Sequence, residues 1–229
     1  MAIKNVLLDV DDTLFDYQKA EAIAIRKALI QLEIEPDERM ISRHSAINEQ
    51  LWKLLEEKKM TREQVLTKRF DLLFAEFDVV RSSTKALKIY QHLFCAELYF
   101  IPGALELLKT LHRRYDLYIV SNGNALVQDT RIKNAGIASY FKGIFISQRI
   151  GFDKPHPAFF DCCFASIPDF SKEETIIIGD SLSADMKGGN NAGIYTCWFN
   201  SKGKERVEGI TVHYEVADLH DIPDILLQL

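Results

Sequence analysis

Three carboxylates crowd the end of one apolar run. In "VLLDVDDTLF" (6–15), Asp9, Asp11 and Asp12 follow a segment that reads as a buried strand. Like charges at that spacing repel and gain nothing from a packed core, so something must offset them. Two further acids, Asp180 and Asp185, stand in "GDSLSAD" (179–185) after another apolar run. Ser121 and Asn122 end "LYIVSN" (117–122), and Lys154 lies in "GFDKPHP" (151–157). Hard oxygen ligands without His or Cys call for Mg²⁺, whose charge relieves the repulsion, more so once it bridges to an anionic substrate. Such a site supports two-carboxylate chemistry. One acid stays ionised as a nucleophile; the other holds a proton for the leaving oxygen and later takes one from water. Lys154 would stabilise charge on a transferring phosphoryl group, while Ser121 and neighbouring N–H groups, including that of Asn122, donate to its oxygens.

These groups meet only if the chain places them on one edge. Aliphatic runs at 3–10, 117–122, 143–147, 175–180 and 194–200 alternate with amphipathic stretches, the pattern of a doubly wound α/β core whose parallel sheet is covered on both faces. In such sheets ligands bind beyond the carboxyl ends of the strands, where these residues fall. The alternation breaks between residues 16 and 97. There "YQKAEAIAIRKALIQL", "DERMISRHSAINEQLWKLLEEKKM", "TREQVLTKRFDLLFAEF" and "STKALKIYQHLFCAEL" carry apolar residues at helical spacing, with no strand between them. The expectation is a core of residues 1–15 and 98–229 with an all-helical insertion at 16–97. Thr61 and Gln64 read as a capping box, and Gly136 and Gly193 as left-handed helix ends.

Composition narrows the class. The 229 residues are 47% hydrophobic and 27% charged, as in ordinary globular chains, and carry a net charge of -5. That sign argues against a nucleic-acid polymer or an anionic membrane as partner. No window approaches the roughly 18 apolar residues of a membrane span, and the N-terminus lacks a secretory pattern. Cys95, Cys162, Cys163 and Cys197 show no CxxC spacing, which reads as reduced thiols in a cytoplasmic protein.

The four segments together resemble the motifs of the haloacid dehalogenase superfamily. "DVDDT" (9–13) matches DxDxT, Ser121 the second motif, Lys154 the third and "GDSLSAD" the fourth, in that order. The resemblance implies Asp9 as nucleophile and Asp11 as acid/base. It implies Mg²⁺ held by the Asp9 carboxylate, the Asp11 backbone carbonyl and Asp180, with Asp185 acting directly or through water. It also identifies the insertion as a type 1 cap. Dehalogenases of the superfamily lack an acid at position 11, so phosphoryl transfer is favoured. "NEQLW" (48–52), "MTREQVLTKRF" (60–70) and "GGNNAGIYTCWFN" (188–200) further resemble the noncanonical pyrimidine 5′-nucleotidases, which implies a nucleoside 5′-monophosphate as the small-molecule substrate. A sugar-phosphate or phosphoglycolate phosphatase, or a β-phosphoglucomutase-like enzyme, shares the same core chemistry. A non-enzymatic phospho-receiver fits poorly, because "LYIVSN" ends in Ser-Asn rather than an acceptor Asp.

The remaining polar and aromatic residues divide less sharply. Phe15, Tyr17 and Trp52 offer aromatic faces to a nucleobase and Asn48 a polar edge. Taken alone, Trp52 and Phe70 read as helical core, and Asn48 and Arg69 as surface groups. Asp12 reads as a turn or solvated acid, Thr13 as a support for the acid/base, and "SKGKER" (201–206) as a solvated loop.

Overall fold

The computed structural model describes residues 2–229. It divides the chain into two compact units, residues 1–16 with 100–229 and residues 17–99.

The first unit is built on six strands: β1 (Asn5–Leu8), β2 (Asp116–Ser121), β3 (Gly143–Ile146), β4 (Thr175–Gly179), β5 (Tyr195–Phe199) and β6 (Tyr214–Val216). They form one parallel sheet in the order β3-β2-β1-β4-β5-β6. β1 turns alternate residues to opposite faces. Val6 and Leu8 enter a core with Ile119, Ile178 and the helix residues Leu108, Leu111 and Leu226, whereas Leu7 joins Val120, Ile177, Phe159 and Phe160. Both faces are therefore covered, which explains the unbroken apolar runs. Burying each such side chain contributes about 1.5–3 kcal/mol relative to exposure.

The doubly wound expectation holds, with one addition. β6 was not among the five expected runs, because it has three residues and only Val216 is buried. It is specified by main-chain pairing to β5 rather than by an apolar pattern.

The second unit contains α1 (Tyr17–Gln31), α2 (Glu38–Glu56), α3 (Arg62–Glu76) and α4 (Ser83–Phe94), with α1 packed on α4 and α2 on α3. Its core holds Ile25, Leu29, Ile47, Leu51, Phe70 and Leu73. Both halves of the Thr61–Gln64 capping box form, at 3.3 and 2.8 Å. The first unit adds α5 (Ala104–Leu111), α6 (Ala125–Asn134), α7 (Ser147–Ile150), α8 (Pro157–Phe164), α9 (Lys187–Ala192) and α10 (Ile222–Leu227). Gly136 and Gly193 have positive φ at helix ends, as expected. No described helix is long and apolar enough to cross a membrane.

Candidate active site

The strand order reverses between β1 and β4, so the residues that follow these two strands lie side by side. Asp9 follows β1, and its N–H donates to the Ile178 carbonyl at 3.0 Å. Asp180 follows β4, and its N–H donates to Thr13 Oγ1 at 3.1 Å. Thr13 Oγ1 in turn donates to Asp9 Oδ2 at 3.2 Å. Thr13 thus braces Asp9 and the start of the fourth motif, not Asp11 as its position in the loop suggested.

Lys154 reaches the same point from the loop between α7 and α8. Its ammonium is buried and donates to Asp9 Oδ1 at 2.7 Å, Asp185 Oδ1 at 2.6 Å and the Val120 carbonyl at 2.7 Å. All three ammonium hydrogens have acceptors. Asp185 is fixed from its other side, because Oδ2 accepts from the Ser181 N–H at 3.1 Å. Gly179 leaves the room: a Cβ there would lie 2.2 Å from Asp185 Oδ2. The Asn122 side chain grips the Lys154 backbone in both directions, at 2.8 Å each way. That side chain holds the loop that carries Lys154.

Asp11 sits two residues beyond Asp9, with its side chain partly exposed. It pairs with Arg131 and accepts from Gln128 Nε2 at 2.7 Å, and the same Nε2 donates to Ser121 Oγ at 2.9 Å. Sequence reasoning missed Gln128 and Arg131. The available signal was a polar pair three apart on a helix face shared with Ile132, all three of them buried. The "SKGKER" loop is also not merely solvated. Lys202 pairs with Asp12 at 2.9 Å and Lys204 approaches Asp180 at 3.6 Å.

Charge at the centre is unbalanced: the buried Lys154 ammonium, with that of Lys204 at 3.6 Å from Asp180, stands against three carboxylates. Burial, then the Asp185 charge, pushes Asp180 up to about 7. Burial also raises Asp9 well above the usual carboxylate range, with Lys154 opposing and Asp185 and Asp180 reinforcing the rise. Burial alone would lower Lys154, but the Asp185 and Asp9 carboxylates outweigh it and hold the ammonium charged. Asp9, Asp180 and Asp185 present oxygens that all lie within 4.8 Å of one another. An all-oxygen set with surplus negative charge suits a hard divalent cation.

The residues expected to meet a leaving group are placed differently from the sequence reading. Phe15 is fully buried, with the Arg131 guanidinium 4.9 Å from its ring centre and Phe100 at 5.2 Å, so it is core rather than an open stacking face. Asn48 and Arg69 are buried, not surface groups. Asn48 Nδ2 donates to Tyr17 Oη and Glu21 Oε1, both at 2.9 Å, and Asn48 Oδ1 accepts from Arg69 Nη1 at 3.1 Å. These mutual bonds repay the cost of burial, and they use the amide edge that a base would need. Tyr17 packs edge-on against Phe94 at 5.3 Å, and Trp52 is half-buried. Phe70 is core, as read.

A parallel sheet with four such segments at its carboxyl edge defines a class. Residues 6–199 match the haloacid dehalogenase-like hydrolase family, and the chain belongs to that family and is an enzyme. It is similar to YfnB of Bacillus subtilis (strain 168), named for the HAD-hydrolase family, at 40% identity over 97% of this chain and 95% of that one. A crystal structure of YfnB bound to magnesium superposes with a TM-score of 0.95, at 39% identity and 99% of both chains. Pyrimidine 5′-nucleotidase PynA of Streptococcus pneumoniae (strain ATCC BAA-255 / R6) is 35% identical over 99% of this chain and 96% of that one. Pyrimidine 5′-nucleotidase YjjG of Escherichia coli (strain K12) is 25% identical over 96% of both.

Proposed function

We propose that the chain is a Mg²⁺-dependent phosphomonoesterase acting on pyrimidine nucleoside 5′-monophosphates. The observation that carries the chemistry is Asp9 held between Lys154 and Thr13, beside Asp180 and Asp185 and two residues before Asp11. Asp9, Asp180 and the Asp11 carbonyl are assigned to the metal. Asp185 contributes its charge directly or through water, with Oδ1 held by Lys154 and Oδ2 by the Ser181 N–H. Bound there, Mg²⁺ supplies positive charge that keeps the acids ionised and neutralises a phosphate.

In the first step an Asp9 oxygen attacks phosphorus, the ester P–O bond breaks, and Asp11 gives its proton to the leaving oxygen. Lys154 and the Ser121 hydroxyl carry the charge on the phosphoryl oxygens. In the second step Asp11 takes a proton from water, whose oxygen attacks the phosphoryl group. The bond to Asp9 breaks, phosphate departs, and both acids return to their starting states.

The base preference draws on the likeness to PynA and YjjG. A screen of phosphate esters with Mg²⁺ tests it. UMP, dUMP and dTMP should exceed purine nucleotides and phosphoglycolate in kcat/KM by at least about tenfold, equivalent to about 1.4 kcal/mol of transition-state binding. A sugar phosphate in the lead would end the nucleotidase reading and leave the phosphatase chemistry. Asp9→Asn should abolish turnover while the far-ultraviolet circular dichroism stays unchanged. Near-normal turnover in that variant, or undiminished turnover in excess EDTA with metal loss verified, would overturn the mechanism.

A further inference from the structure

We propose that Gln128 and Arg131 of α6 are positioning residues that aim Asp11 at the leaving oxygen and tie it to Ser121. This rests on the phosphatase reading, in which Asp11 carries the proton. Each Asp11 oxygen has its own support: Oδ1 accepts from Arg131 Nη1, and Oδ2 from Gln128 Nε2 at 2.7 Å. The second Nε2 hydrogen goes to Ser121 Oγ at 2.9 Å, and Gln128 Oε1 accepts from Arg131 Nη1 at 3.2 Å. The Arg131 contact therefore sets which end of the Gln128 amide is the donor, and both amide hydrogens are spent. Because Ser121 accepts here, its own hydroxyl hydrogen remains to serve a phosphoryl oxygen. One amide thus couples the proton carrier to the group that binds the phosphoryl oxygens.

The supports are buried and the acid is not enclosed. Arg131 and Gln128 are 0% and 1% exposed, while the Asp11 side chain keeps 29% of its surface open. The Phe15 ring lies against the guanidinium at 4.9 Å. Gly123 vacates the space that the amide fills, since a Cβ there would lie 2.5 Å from Gln128 Cγ. An apolar pair at 128 and 131 would pack the same helix face without desolvating a guanidinium, so packing alone does not account for the choice of residues.

The test compares kcat/KM for p-nitrophenyl phosphate, whose leaving group departs unprotonated, with the alkyl phosphate that leads the substrate screen. This ratio reports the steps through transfer to Asp9. Asp11→Asn should lose at least about 10²-fold on the alkyl ester and at least about tenfold less on the aryl ester. Gln128→Ala and Arg131→Met should show the same asymmetry, with alkyl losses of roughly 10–100-fold, and Arg131→Lys should recover part of it. Adding either change to Asp11→Asn should alter the alkyl rate by less than about threefold, since residues acting as a unit are not additive. Equal losses on both esters, or full losses on the Asp11→Asn background, would make the pair structural and overturn the proposal while the phosphatase reading stands. If Asp11→Asn alone loses equally on both esters, the acid/base assignment falls and the proposal with it. Should Arg131→Met fail to fold, Gln128→Ala decides the question.

Discussion

His44 shows how one side chain can carry a stability cost unrelated to the chemistry. Its ring is fully buried between Phe70 and Tyr90, each at 5.4 Å, and neither ring nitrogen has a hydrogen-bond partner. Burial, reinforced by the Arg69 charge, lowers its pKa well below 6.5, although Glu21 Oε1 stands 3.5 Å from Nδ1. That carboxylate is already occupied by Tyr17, Ser45 and Asn48. Below pH 6.5 the unfolded chain binds a proton that the folded chain refuses. Stability therefore falls as the pH drops, by up to about 1.4 kcal/mol per pH unit. His44→Phe strands no hydrogen-bonded group and should flatten this acid limb. Urea unfolding at pH 7.5 and pH 5 measures it, and an unchanged difference between the two would refute the assignment.

At the scale of elements, the active edge depends on what the strand ends leave out as much as on what they deliver. β4 ends in Gly179 because any side chain there would occupy the place of the Asp185 carboxylate. Gly179→Ala should push Asp185 off Lys154, with loss of about 10²-fold in kcat from a displacement near 1 Å and about 1–3 kcal/mol of stability. Kinetics and a thermal melt on the same sample separate the two effects, and near-native turnover would show that Asp185 is not needed where it stands. α6 makes the complementary point. Its buried face brings Gln128 and Arg131 into hydrogen-bond contact with Asp11 and Ser121, so a helix that reads as a sheet cover also reaches the active edge.

For the molecule as a whole, the surplus of carboxylate over ammonium means that the cation also belongs to the folding equilibrium. A metal that binds only the folded state stabilises it by mass action, about 2.7 kcal/mol at a hundredfold excess over Kd. Mg²⁺ should therefore raise the Tm of the wild-type protein in a concentration-dependent way. Asp180→Asn should lose most of that shift without needing any substrate to reveal it. An equal shift in the variant would remove Asp180 from the ligand set.

The sequence by itself determined the family and the sheet, and it supplied the residues proposed here to react. The proposed nucleophile, ammonium and hard ligands must be particular residue types. The βα alternation sets Asp9, Ser121 and Asp180 at or just after strand ends, with Lys154 and Asp185 in the segments that follow, so types and order were legible together. Tertiary structure decided the partners. Gln128 and Arg131 meet Asp11 across 117 and 120 residues, a contact that no local pattern encodes. Asn48 and Arg69 read as surface groups because polar helix residues usually face water. Their burial is tolerated only because Tyr17, Glu21 and Arg69 converge on Asn48, and that convergence exists only once the helices pack. Phe15 moved from a presumed stacking face to the core for the same reason. Whether a ring is an open surface or filling depends on what lies over it, and that is fixed by packing rather than by residue type.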